Sequence, residues 1–207
     1  MAKPKKYYSD VREEPFINIP QPKLYLYMLL FSLTILFVVF AVGYVSTRAA
    51  QGNSGVYLPP IFIANSVLLL GCSYTMHLAN KAYKADKTLN YQMALWGTFF
   101  LTLIFLALQI MGWTLYYKVL LGDNIGIGKQ YLYAISGLHF AHVLAGLPFL
   151  AFFLVTAYYR MKEPVSVLVY FSDPDKKMKL ELLSTYWHFL DALWIFLVLF
   201  FLVNMML

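Results

Sequence analysis

Four side chains in the second half of this sequence could do chemistry. His139 and His142 stand three residues apart, and so do His188 and Asp191. Three residues is nearly one helical turn, so each pair shares a face if its segment is helical. His188 and Asp191 lie within Tyr186-Trp187-His188-Phe189-Leu190-Asp191-Ala192-Leu193-Trp194. From Leu182 to Leu207 no other Asp, Glu, His, Lys or Arg occurs. A carboxylate at the centre of such an apolar segment costs ~2.5–3.5 kcal/mol on insertion scales. It is kept where it faces a protein interior, a polar cavity or a partner. Trp187, Asp191 and Trp194 fall along one stripe of the same segment.

Several chemistries fit these groups. The first is a polar clamp, with His and Asp hydrogen-bonding across helices to fix the packing. The second is a polar site open to lipid head groups or to a partner subunit. The third is haem ligation by one His from each segment, which leaves a third His without a role. A proton or ion path is weakly supported, because no Asp or Glu occurs between Glu14 and Asp86 and Asp191 stands alone in its segment. Zinc needs more ligands than these positions supply. His77, near the end of its own apolar segment, is read as an interfacial group.

The elements that must position these residues are membrane spans. The chain has 207 residues, 61% hydrophobic and 13% charged, whereas a soluble domain is about 25% charged. Five segments reach the ~20 residues that cross a bilayer as helix: about 24–46, 61–80, 93–117, 131–159 and 182–207. Helices are required because hydrocarbon satisfies no free backbone group. The expected fold is all-α: a polytopic membrane protein, a bundle of five transmembrane helices (residues 24–207) behind a polar N-terminal tail (residues 1–23). Pro148 predicts a kink near Leu144. Gly137, Ala141 and Ala145 form a small-residue stripe at spacing four, the kind that lets helices approach closely in lipid. The single Cys72 rules out an intrachain disulfide.

Charge gives orientation. Lys3, Lys5, Lys6, Arg12, Lys23, Lys81, Lys84, Lys87, Arg160, Lys162, Lys176, Lys177 and Lys179 fall on one side, against Arg48, Lys118 and Lys129 on the other. The positive-inside rule places the N-terminus in the cytoplasm and the C-terminus in the periplasm. The net charge of +6 is thus a topology charge, and nucleic acid is excluded as a partner. No removable signal peptide is read at the N-terminus. The connection 160–180 is read as a loop, with a turn at Phe171-Ser172-Asp173-Pro174-Asp175. The segment 122–128 is glycine-rich but lacks the Lys and Ser/Thr of a phosphate loop. On these depths the two polar pairs sit roughly 12–17 Å and 9–14 Å from their helix ends and are expected to face each other near mid-bilayer.

Three motifs in order carry a family resemblance. The run Tyr186–Trp194, the run Ser136-Gly137-Leu138-His139-Phe140-Ala141-His142-Val143-Leu144-Ala145-Gly146, and Pro59-Pro60 followed by Asn65–Leu70 and Thr75–Ala79 together resemble subunit III of the haem-copper respiratory oxidases. The likeness covers about Leu24 to Asn204 and looks like the five-helix bacterial form. It implies a non-catalytic structural subunit in a bacterial inner (plasma) membrane, packed against the catalytic subunit I, with subunits II and IV as further partners. Phospholipids would sit in a cleft of this chain, while haem and copper would belong to partner subunits. The complex so implied reduces O2 to water with electrons from cytochrome c or quinol and pumps protons. Under this resemblance His139, His142, His188, Asp191, Trp187 and Trp194 are candidates for a buried clamp or lipid cleft. The alternative is a haem-b membrane anchor of a quinone-linked dehydrogenase, using His139 or His142 with His188. One departure matters. Many family members carry a glutamate in the helix matching 24–46, where this chain has only Ser32 and Thr34, and a common acidic position near 109–116 is occupied here by Gly112 and Trp113. A proton-conducting role tied to that glutamate does not carry over.

Overall fold

The computed structural model describes residues 20–51, 58–120 and 127–206. The N-terminal residues 1–19 and most of the glycine-rich segment 122–128 lie outside them. All described secondary structure is helical: α1 (Gln21–Gln51), α2 (Pro60–Lys84), α3 (Thr88–Leu120), α4 (Ile127–Arg160), α5 (Pro164–Ser172) and α6 (Pro174–Met206). Five of them, all except α5, are long and apolar enough to cross a membrane.

Local chemistry starts these helices. Pro60 and Pro164 open α2 and α5 at positions whose N–H would have no intrahelical partner. Ahead of α6, the Asp173 carboxylate accepts from the Asp175 N–H at 2.9 Å, which is a side-chain cap. The α2–α3 turn is tight, with Asp86 in the left-handed region at φ 53°, a conformation Asp tolerates better than most residues.

Two expectations change here. The connection 160–180 is not a loop, because α5 occupies its first part and α6 begins at Pro174, eight residues before the expected 182. The Asp-Pro-Asp read as a turn is the cap and first turn of α6. On α5, Tyr170 and Phe171 turn inward onto Tyr83 and Tyr91, and the Tyr83 hydroxyl donates to the Tyr170 carbonyl at 3.0 Å. Val165, Leu168 and Val169 stay exposed. The second change concerns neighbours. The two polar-pair helices, α4 and α6, do touch, but α6 packs more extensively on α2.

α2 and α3 form the closest pair in the bundle. At Gly112 of α3 a Cβ would stand 2.8 Å from the Ile61 side chain of α2. The buried core surrounds α6, where Leu190, Trp194, Leu197 and Phe201 meet Phe62 of α2, Phe105 of α3 and Ile135 of α4. α1 stands at the edge, burying Leu33, Phe37, Ala41 and Tyr44 on one narrow face.

Candidate functional site: a polar layer and two cavities

The polar residues of the four inner helices form a layer around Trp194. The indole of Trp194 stacks on Phe62 at 5.6 Å and 14° and meets Phe105 edge-on at 5.2 Å. His139 is fully buried, its ring 5.0 Å from Trp194 and 5.9 Å from Phe105. Asp191, 3% exposed, lies one turn before Trp194 on α6. Asn65 of α2 donates to the Gln109 Oε1 of α3 at 2.8 Å, and both residues are fully buried. Among the described residues, both His139 ring nitrogens, Asp191 Oδ2, Trp194 Nε1, Asn65 Oδ1 and Gln109 Nε2 have no hydrogen-bond partner. A buried polar atom left unpaired costs about 1–3 kcal/mol, which makes this layer the candidate site within the bundle.

The other candidates separate from this layer. The His188 ring bonds the Ser73 hydroxyl of α2 at 2.7 Å. His142 donates from Nδ1 to the carbonyl of Leu138 in its own helix at 2.7 Å, and its ring faces Phe37 of α1 at 6.3 Å. Its backbone carbonyl accepts from the Tyr186 hydroxyl at 2.9 Å. The expected facing of the two pairs is therefore not what brings these residues together. His139 meets α6 through an aromatic ring, His188 meets α2, and His142 meets α1. No direct His–Asp hydrogen bond occurs among the described residues, because α6 turns His188 toward α2.

The small-residue stripe also differs from its expectation. Ala141 and Ala145 are exposed, and a Cβ on Gly137 would meet nothing within 4 Å. The close approach of α4 to α6 is at Gly146, where a Cβ would lie 2.8 Å from Tyr186 and 3.0 Å from Trp187. Spacing alone could not choose between two small-residue faces of one helix. Asn65 and Gln109 are functional candidates that sequence reasoning missed. The available signal was their type, since each is a bulky amide well inside an apolar span.

Two cavities flank α1. One, of 1200 Å³, is apolar and lies between α1 (Leu29, Leu33), α4 (Ala145, Phe149) and α6 (Leu183), with Lys179 at its end. The other, of 510 Å³, is polar and gathers Lys23, His77, Lys81, Lys84 and Glu181. Lys23 and Glu181 form an ion pair at 3.0 Å across it. His77 is exposed there. At the opposite end of the bundle the Arg48 guanidinium of α1 donates to the Asn204 carbonyl in the last turn of α6 at 2.5 Å, the helix end where cations are favourable. No cluster of three or more metal-ligating side chains occurs among the described residues.

Five apolar spans around an interior polar layer, with an apolar groove beside α1, define a polytopic membrane protein of the helical-bundle class. Residues 23–204 match the family described as cytochrome c oxidase subunit III, and the chain belongs to that family. It is 30% identical over 170 residues to the cytochrome c oxidase subunit 3 of Alkalihalophilus pseudofirmus, covering 79% of this chain and 77% of that one. It is 31% identical over 144 residues to a probable quinol oxidase subunit 3 of Staphylococcus saprophyticus, covering 68% and 64%. With a probable cytochrome c oxidase subunit 3 of Rickettsia felis it shares 28% over 154 residues, covering 70% and 51%. The match thus spans about half to two thirds of the length of several curated relatives.

Proposed function

We propose that this chain is the non-catalytic structural subunit of an aerobic haem-copper terminal oxidase in a bacterial inner membrane. It supports the catalytic subunit I, has subunits II and IV as further neighbours, and holds phospholipid. The complex takes electrons from cytochrome c or quinol, reduces O2 to water and pumps protons; its haem and copper sit in partner subunits. Residues 24–207 are the membrane domain and residues 1–23 a polar tail on the cytoplasmic side, leaving the C-terminus periplasmic. The ends carrying Lys23, Lys81, Lys84 and Glu181 meet at one cavity, which supports one inward-facing, Lys-rich end.

The observation that carries this reading beyond family membership is the groove between α1 and α4. Its walls are mostly Leu, Phe and Tyr, with Ser32 and His142 among them, and a lysine stands at one end. That combination suits acyl chains with a phosphate beside Lys179. Ala145→Trp would fill the groove from an exposed position. In the purified oxidase the variant is expected to lose one bound phospholipid by native mass spectrometry. Its initial oxygen consumption should be unchanged and its inactivation over repeated turnover faster. An unchanged lipid complement would overturn lipid holding here. Failure of a tagged chain to bring down a haem-bearing partner would overturn the subunit assignment.

The haem-anchor alternative gains no support from the geometry. The rings of His139, His142 and His188 address three different neighbours. The ring of His139 is enclosed by Phe105 and Trp194, which leaves no flat space for a porphyrin beside it.

A further inference from the structure

Where α2 meets α6, polar side chains recur at successive turns. Nearest the Lys-rich end, Asn80 donates to the Ser184 hydroxyl at 2.6 Å. One turn deeper on α6, His188 bonds Ser73 at 2.7 Å and lies within electrostatic range of His77. Three residues further is Asp191, with Oδ2 unpartnered and with Cys72 of α2 in electrostatic range. Positions 184, 188 and 191 step by four and three along α6, and positions 80, 77 and 73 step by three and four along α2. Each set is therefore one stripe of its helix, and two direct hydrogen bonds join the stripes. The outer end of this seam is not sealed, because His77, Asn80 and Ser184 also line the 510 Å³ polar cavity.

A clamp between two helices needs one or two satisfied pairs. This row runs instead from an open cavity to a carboxyl oxygen without a partner, and polar residues in a span are expensive to keep. We infer that the α2–α6 seam is a proton-exchange path with a single mouth, by which Asp191 takes up and releases a proton from solvent at the Lys-rich end.

In uptake one O–H bond forms on the Asp191 carboxylate as one O–H bond of a hydronium ion in the cavity breaks and leaves water there; release is the reverse step. Imidazole can accept a proton at one nitrogen while releasing another from the second, and a hydroxyl both donates and accepts. His188 and Ser73 thus have the chemistry of a relay. Ser184 to His188 is one turn, a rise of about 6 Å, a gap that one water from the cavity can span. The whole distance from Ser184 to Asp191 is about 10 Å along the axis. The titratable groups on the packed elements fix the direction. His77 stands at the mouth, and Lys23 of α1 is engaged by Glu181. Cys72 flanks the inner end, and His139 on α4 lies beyond Trp194, enclosed on all sides. His142 faces the apolar groove and is not part of the row. The path rests on contacts within this chain and does not depend on which complex the chain joins.

Infrared difference spectroscopy of the assembly as extracted, moved from H2O into D2O, tests this. The carbonyl band of the Asp191 carboxyl is identified by its loss in Asp191→Asn. It should shift promptly in the wild type. In Ser73→Val and His188→Phe the band should persist but shift slower by roughly tenfold or more, the scale of losing a positioned proton-transfer group. Ser73→Thr, which keeps the hydroxyl, should restore the rate. If Ser73→Val does not assemble, Ser73→Ala gives the same reading with less change in shape. Equal exchange rates in the wild type and the seam variants would overturn the path. So would the absence of any deuterium-sensitive band that disappears in Asp191→Asn.

Discussion

α1 and α6 are nearly equal in length, 31 and 33 residues, and both are overwhelmingly apolar, yet they occupy opposite situations. α6 is gripped by α2 and α4 and carries Trp187, Leu190, Asp191 and Trp194 into the interior. α1 touches α4 and α6 along one edge and leaves Tyr25, Met28, Phe31 and Val39 exposed. Hydrophobicity therefore decides that a segment enters the membrane, not where in the bundle it stands. Polar residues decide position: α6 bears a carboxylate and must be surrounded, whereas between Met28 and Gly43 the polar side chains of α1 are Ser32 and Thr34, which bond carbonyls of their own helix, and α1 can stay at the rim.

This contrast can be broken or sharpened by substitution. Trp194→Ala should have the largest effect, about 3–5 kcal/mol of lost stability, because the indole contacts α2, α3 and α4 at once. Thermal unfolding in detergent would read it, and a loss below 1 kcal/mol would place the centre of the bundle elsewhere. Gly146→Leu should cost about 1–3 kcal/mol through overpacking against Tyr186 and Trp187, whereas Gly137→Leu should change little. Equal effects in the two variants would restore Gly137, Ala141 and Ala145 as the packing face.

Within the polar layer, Asn65→Leu should cost about 1–3 kcal/mol by leaving Gln109 wholly unpaired, and the double variant Asn65→Leu/Gln109→Leu should recover much of that. A double-mutant cycle measures the difference. Outside the spans, burial pushes the Tyr170 phenol above its ordinary value. A group raised in the folded state stabilises fully below its unfolded value and loses that contribution as pH rises. The anchoring of α5 should therefore weaken above about pH 10, measured as lower hydrogen-exchange protection factors in 164–172, and Tyr170→Phe should lessen that dependence. The smallest effect belongs to α1. Lys23→Gln breaks an ion pair whose side chains are 32% and 39% exposed, so it should cost at most about 1 kcal/mol and become indistinguishable from wild type in high salt.

The five spans were legible because length and hydrophobicity in lipid leave helix as the answer. So was the inward placement of Asp191, which is buried, since a carboxylate is rare in such a segment and costly against lipid. α5 was not legible: Pro164, Pro174 and the surrounding lysines read as loop punctuation, and its inward face is just Val167, Tyr170 and Phe171. Lysines at 176, 177 and 179 also disguised the start of α6, because cations are disfavoured at a helix N-terminus. Within the site, i, i+3 spacing correctly put His188 and Asp191 on one face, but which helix that face meets is a property of the assembled bundle. Antiparallel succession suggested α4; packing chose α2. The Asn65–Gln109 pair was hidden for the same reason, since a single amide in a span acquires meaning only from the amide it meets.

The placement of α6 also bears on how the chain is made. Every long helix that surrounds Asp191 precedes it in the sequence, so the segment carrying the membrane's least welcome side chain emerges from the ribosome after α2, α3 and α4, which can already stand as its receptacle. α1 emerges before the α4 and α6 it packs against, and its largely apolar, exposed middle suits that wait. The order of segments thus doubles as an assembly schedule. A circular permutation moving α6 to the front would leave every native contact available and still be expected to insert poorly.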